Sequence, residues 1–254
     1  MGFTLYLSGC ALPAIGVLRA LEERDLLPDT LICRAGGALT GGLYACGWRA
    51  APLERLARTL ERSSLALLGQ LLPALGSGGL RLGPRALAEQ LTRDLPWPEL
   101  HCELVRRPDG LDGLLSELTG GAELCGLRPR LVLPVRIYRA DGGFEVDAIT
   151  SAAHARFALT LATALRCAAF PAGMTLSPCV GGHAPAACRA EDLAGGLPQL
   201  GRGQPLVCVA RAGERPLPGE SLRITPPGDG GAARQAASGY GLMRAHMSEL
   251  MGLC

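Results

Sequence analysis

Asp29-Thr-Leu-Ile-Cys-Arg-Ala-Gly-Gly-Ala-Leu-Thr-Gly-Gly-Leu-Tyr-Ala-Cys-Gly47 is the stretch that decides the fold. An apolar run ends at Cys33, a turn follows at Ala35-Gly36-Gly37, and the residues up to Cys46 are small and apolar enough for a buried helix. This is the pattern of a G-x-S-x-G elbow. Its apex residue sits on a strained strand-to-helix turn, exposed above the sheet and facing helix N-terminal amides. The five residues in that place are Cys33-Arg34-Ala35-Gly36-Gly37. The glycines that permit the geometry are partly kept, but Ala35 stands where a nucleophilic hydroxyl would be.

Upstream, Phe3 to Leu7 reads as a strand. Pro13 falls where a first helical turn tolerates it, followed by inward Ile15, Leu18 and Leu21 and outward Glu22, Glu23 and Arg24. With Thr30 to Cys33 as the second strand and Gly36 to Cys46 as the second helix, the opening is β-α-β-α. It predicts a mostly parallel central sheet with helices on both faces.

From Pro52 to about Arg128 the pattern is helical, with Leu53, Leu56 and Leu60 on one face and a second start at Leu82 to Leu91; we read it as a helical insertion. Arg130 to Tyr138 and Phe144 to Thr150 form a hairpin turning at Asp141-Gly-Gly143. A helix is expected from about Ala155 to Ala169, strands at Pro205 to Ala210 and Ser221 to Thr225, and a final helix from Ala232 to Met251. Residues 1–254 are expected to form one α/β domain.

Composition narrows the function classes. Hydrophobic residues make up 48% of the 254 but aromatics only 4%, so the core must be built from Leu, Ala and Val with glycine allowing close approach. A net charge of +2, with no more than two basic residues in a row, gives no reason to expect nucleic acid. Lysine and asparagine are absent, the coding bias of a GC-rich genome, which excludes Schiff-base lysines, P-loop lysines and N-glycosylation. The 10 cysteines show no C-x-x-C pair and suit reduced thiols in a cytoplasm; the 4 histidines are too dispersed for a zinc signature. No metal or cofactor is expected. No targeting leader or membrane-length apolar run is evident, so a cytoplasmic location is expected.

Three pieces in chain order resemble the patatin-like phospholipases. Leu5-Tyr-Leu-Ser-Gly9 followed by Ile15 to Arg24 is similar to the family's first strand, glycine-rich oxyanion loop and first helix. Gly37-Ala-Leu39 and Gly42 to Gly47 are similar to the helix after the nucleophile. Leu161 to Pro171 resembles the helix and proline before the catalytic aspartate, and Val180-Gly-Gly182 with Pro185 resembles its D-G-G segment. The resemblance implies a three-layer α/β fold and, in active members, a Ser/Asp dyad that cleaves acyl esters.

The departures fall on the chemistry. Ala35 fills the serine slot, Val180 fills the aspartate slot, and the loop Cys10-Ala-Leu-Pro-Ala14 is shorter than the family's, with Pro13 removing an amide donor. Because such residues act as a unit, loss of the serine removes nearly the whole chemical advantage and later losses cost little more. No catalytic residue is therefore expected. Asp141-Gly-Gly143 precedes the Leu161 helix and is an ordinary hairpin turn rather than the missing D-G-G.

A substitute nucleophile would have to be Cys10 or Cys33 with His183 as base; Ser8 aligns with a position that is normally structural. Arg34, beside the elbow and at a helix N-terminus, is a candidate for binding a phosphate or carboxylate; otherwise it pairs with a surface carboxylate or faces water. The candidate ligand-binding residues are Gly9, Cys10, Arg34, Gly36, Gly37 and Gly181. The expected function is that of a catalytically inactive patatin-like protein that binds a lipid-like acyl ligand or a protein partner, or associates with itself. The alternatives are an acyl hydrolase or acyltransferase with a cysteine nucleophile, and a structural or regulatory subunit paired with an active homologue.

Overall fold

β1 (Thr4–Leu7) runs between β2 (Thr30–Cys33) and β6 (Leu206–Val209), parallel to both, with Leu5 opposite Leu31 on one side and Val207 on the other. The computed structural model describes residues 2–9, 11–59, 110–139, 141–152, 159–169, 185–197, 204–227 and 230–254. Among these, seven strands form one mixed sheet in the order β4-β3-β2-β1-β6-β7, with β5 pairing β3. β3 (Arg130–Tyr138) is parallel to β2 over its first residues and antiparallel to β4 (Phe144–Thr150) and β5 (Pro185–Ala187); β7 (Glu220–Ile224) lies parallel to β6. This is the expected α/β class, a mostly parallel sheet flanked by helices.

β1, β2 and β6 are buried along their whole length, which is why they read as unbroken apolar runs rather than alternating ones. Alternate side chains still go to different cores. Leu5, Leu7, Leu31, Cys33, Val207 and Val209 join the larger core with α1 (Ala11–Glu22) and α2 (Gly36–Ala45), while Tyr6, Ile32, Leu206 and Cys208 join a smaller one closed by Leu193, Leu197 and Leu217.

Residues 50–59 form a helix, α3, and Gly110–Thr119 form α4. The Trp48 indole donates to the Leu118 carbonyl at 3.0 Å and ties the end of the expected insertion back to α2. Leu60 and the Leu82 to Leu91 segment lie outside the described residues.

Two helix boundaries differ from expectation. Of the helix expected from about Ala155, residues 155–158 lie outside the described residues and the described part is α5 (Leu161–Ala169); before it, Thr160 bridges Glu123, and its hydroxyl accepts from the Thr163 amide as an N-cap. The final helix is two, α6 (Ala232–Ala245) and α7 (Met247–Leu253), broken at His246. The break lets Met243, Met247 and Leu250 all reach the core. α6 crosses α1 at backbone contact: a Cβ on Gly16 would collide with the Ala236 carbonyl, and one on Gly239 with that of Pro13. No described helix is long and apolar enough to cross a membrane.

Candidate functional site: the elbow after β2

The carboxyl ends of β1, β2 and β6 carry the loops that matter. β2 extends past Cys33 through the Arg34 amide, which donates to the Leu7 carbonyl at 3.1 Å. The chain then turns at Ala35, with φ 47° and ψ −128°, directly into α2. A side chain with a Cβ rarely adopts such a backbone; holding one there costs on the order of 1–3 kcal/mol and requires the surroundings to over-determine it.

The surroundings do so. The Ala35 amide donates to the Ala168 carbonyl of α5 at 3.1 Å, and the Ala38 amide to the Ala35 carbonyl at 2.9 Å. Gly37 lies against the end of β1, where any Cβ would meet the Ser8 and Leu7 carbonyl oxygens. The elbow read from the sequence is thus present as geometry. Its apex, partly exposed, offers a methyl group and no side-chain cap. An alanine can neither attack an ester nor accept a proton.

The loop after β1 is shorter than expected, because α1 begins at Ala11 and takes up residues read as loop; Pro13 sits in its first turn, where a missing N–H leaves no intrahelical bond unmade. The Thr40 hydroxyl donates to the Ala11 carbonyl at 3.0 Å, joining the starts of α1 and α2. Gly9 is partly exposed, and its carbonyl accepts from Arg211 Nη2 at 3.0 Å.

Arg34 is buried, with only 7% of its surface exposed. Its Nε donates to the Tyr6 hydroxyl at 2.8 Å and its Nη2 to Glu214 Oε1 at 2.6 Å. Burial works against its charge, but Tyr6 and Glu214 outweigh that and hold the guanidinium above its ordinary range. The same burial drives the Tyr6 phenol up, against the pull of Arg34. Of the roles open to Arg34 in the sequence, pairing with a carboxylate is the one seen, and that carboxylate is largely buried rather than at the surface. Tyr6, Glu214 and Arg211 carry no signal in the sequence: Tyr6 stands between the core residues Leu5 and Leu7, and Glu214 lies 180 positions from Arg34.

Cys33 is fully buried, beneath α2 at Gly41, and burial pushes its thiol up despite a backbone hydrogen bond involving Leu7. A nucleophilic cysteine needs a stabilised thiolate and an approach, and Cys33 has neither. Burial likewise raises the thiols of Cys167 and Cys188, each to about 12. Gly36 and Gly37 are placed together at the start of α2, with Gly9 on the neighbouring loop. Cys10, Val180, Gly181 and His183 lie outside the described residues.

No protein-family model matches this chain, and no curated protein matches it. Among solved structures it is similar to the heterodimeric ExoU–SpcU complex from the type III secretion system of Pseudomonas aeruginosa, with a TM-score of 0.48 at 16% identity, over 98% of this chain and 51% of that one. A complex of full-length SpcU with full-length ExoU gives 0.46 at 14% identity, over 98% and 52%. The type III effector protein ExoU gives 0.42 at 14%, over 98% and 53%. This chain spans about half the length of the chains it matches.

Proposed function

We propose that this chain is a patatin-like protein that keeps the nucleophile elbow without its reaction and acts by binding, with a lipid-like acyl ligand or a protein partner at the elbow. The observation that carries the reading is Ala35 itself. A strained turn is retained around a residue that cannot use it chemically. Val180 in the aspartate slot and the short first loop agree with this, since losses within one machine accumulate once its nucleophile is gone.

The competing reading, a hydrolase or acyltransferase with a cysteine nucleophile, loses Cys33 to burial and rests on Cys10 with His183. A subunit role alongside an active homologue is the protein-partner form of the binding reading. A direct test is titration with a medium-chain fatty acid and with a lysophospholipid, followed by calorimetry, with product analysis of the same samples. Saturable binding with the lysophospholipid recovered intact supports the acyl-ligand form. Absence of binding, together with a pull-down from the host that returns only this chain, removes both forms.

A further inference from the structure

The two edges of the sheet are finished differently. β7 is bracketed by Pro216 and Pro218 before it and Pro226 and Pro227 after it, residues that cannot donate to an added strand. β4, at the other edge, contains no proline, and among the described residues it pairs with β3 alone.

The ladder fixes which backbone groups of β4 stay open. The Arg139 amide donates to the Gly143 carbonyl at 2.8 Å and the Ser151 amide to the Leu131 carbonyl at 2.9 Å, and in an antiparallel pair such bonds recur at every second residue. Glu145, Asp147 and Ile149 therefore turn their amides and carbonyls toward β3, while Phe144, Val146, Ala148 and Thr150 turn theirs outward. Ala148 to Thr150 are buried, and the Ala148 amide is taken by Asp147 Oδ1 at 2.8 Å. The open edge is Phe144 to Val146.

Its two faces differ in chemistry. Phe144 and Val146, 44% and 36% exposed, share one face with Tyr138 and with Arg136, whose guanidinium lies over the Phe144 ring at 4.4 Å. Glu145 and Asp147 share the other, where Arg139 of β3 bonds Glu145 at 2.7 Å.

We propose that β4 takes an added antiparallel strand at Phe144 to Val146, supplied by an extended segment of a protein partner whose residues alternate between apolar, beside Phe144 and Val146, and basic, opposite Glu145 and Asp147. Outward amides and carbonyls in a row are matched by an extended backbone, and the alternation on β4 sets the alternation of the strand it receives. Charge selects against a second copy of this chain. Any two-fold antiparallel pairing of β4 with itself that includes both Phe144 and Val146 sets Glu145 opposite Glu145, Glu145 opposite Asp147, or Asp147 opposite Asp147, and like charges directly opposed destabilise a pair. Basic residues do the reverse, as Arg139 already does from β3. This surface is separate from the elbow, since β3 stands between β4 and the strand that carries Ala35.

The probe is a short end-blocked peptide alternating arginine and valine, titrated into the full chain by calorimetry. Two further peptides are N-methylated, one on its valines, whose amides face β4 in this pairing, and one on its arginines, whose amides face away. The parent and the arginine-methylated peptide should bind alike, and the valine-methylated one about tenfold more weakly, the loss of one or two hydrogen bonds. A valine-methylated peptide that binds as tightly as the arginine-methylated one, or tighter, overturns the proposal, as does a parent peptide that does not bind. Val146→Pro removes an outward amide and no bond to β3, so it should also weaken the parent peptide by about tenfold; unchanged affinity overturns the proposal. So does a dimer of the free protein, seen by sedimentation, that Val146→Pro abolishes. Should Val146→Pro fail to fold, the methylated peptides decide on the unsubstituted protein.

Discussion

The amide of Ala35, at the apex of the elbow, donates to the carbonyl of Ala168 in the last turn of α5 at 3.1 Å. The Leu165 side chain of the same helix packs where a side chain on Gly42 would lie, so α5 seats a side chain directly on the backbone of α2. These are the segments that the sequence likened to the surroundings of a serine and to the approach to an aspartate. They converge as scaffold, and the convergence holds the turn while its apex carries only a methyl group.

If the turn is strained as its angles indicate, Ala35→Gly should be neutral or stabilising by up to about 1 kcal/mol, because relief at positive φ offsets the added freedom of the unfolded chain. Ala35→Val should destabilise by more than about 2 kcal/mol, since a β-branched residue at that φ is a genuine outlier. Urea unfolding reads both. A loss of about 1 kcal/mol on Ala35→Gly, the ordinary cost of that exchange in regular structure, would show that the turn is relaxed.

Two glycine-to-alanine changes separate close approach from helix propensity. At Gly37 a methyl group collides with backbone oxygens of β1, so the variant should lose about 2–3 kcal/mol or fail to fold. At Gly241, exposed within α6 and facing open space, the same change should stabilise by about 0.5–1 kcal/mol. Midpoints of thermal unfolding moving in opposite directions are the expected result.

Acid stability should depend on Asp192. Burial opposes its ionisation, but two hydrogen bonds from Arg136, at 2.6 and 2.7 Å, and one from the Arg189 amide hold its carboxyl below the ordinary value of 3.8. A carboxylate with a depressed native pKa contributes stability that is fully present above its unfolded value and is lost as pH falls through the native one. Asp192→Asn should therefore cost about 1–3 kcal/mol at pH 7 and flatten the stability profile below pH 4. Parallel profiles for the two proteins would contradict the assignment.

The parts of the fold visible in the sequence were those governed by local rules. β2 and the helix after it follow from an apolar run meeting paired glycines, and the hairpin follows from Asp141-Gly-Gly143, where the Gly143 amide bonds the Asp141 side chain at 2.9 Å. The break at His246 was hidden, because core residues at helical spacing continue on both sides of it. β5 was hidden because three residues carry no periodicity. Within the site, the apex was legible but the state of Arg34 was not. An arginine beside a helix N-terminus invites an anion, and only the sheet order, which sets β6 beside β1, brings Glu214 there first.

An elbow kept without its nucleophile should react with neither an ester nor an active-site electrophile. The decisive measurement is intact-mass analysis after incubation with a fluorophosphonate and, separately, with a p-nitrophenyl acyl ester, with ester turnover followed in parallel. No added mass and no hydrolysis above buffer are expected. An acyl or phosphonyl adduct, or turnover abolished by Cys10→Ala, would contradict this and make this chain an enzyme with a relocated nucleophile.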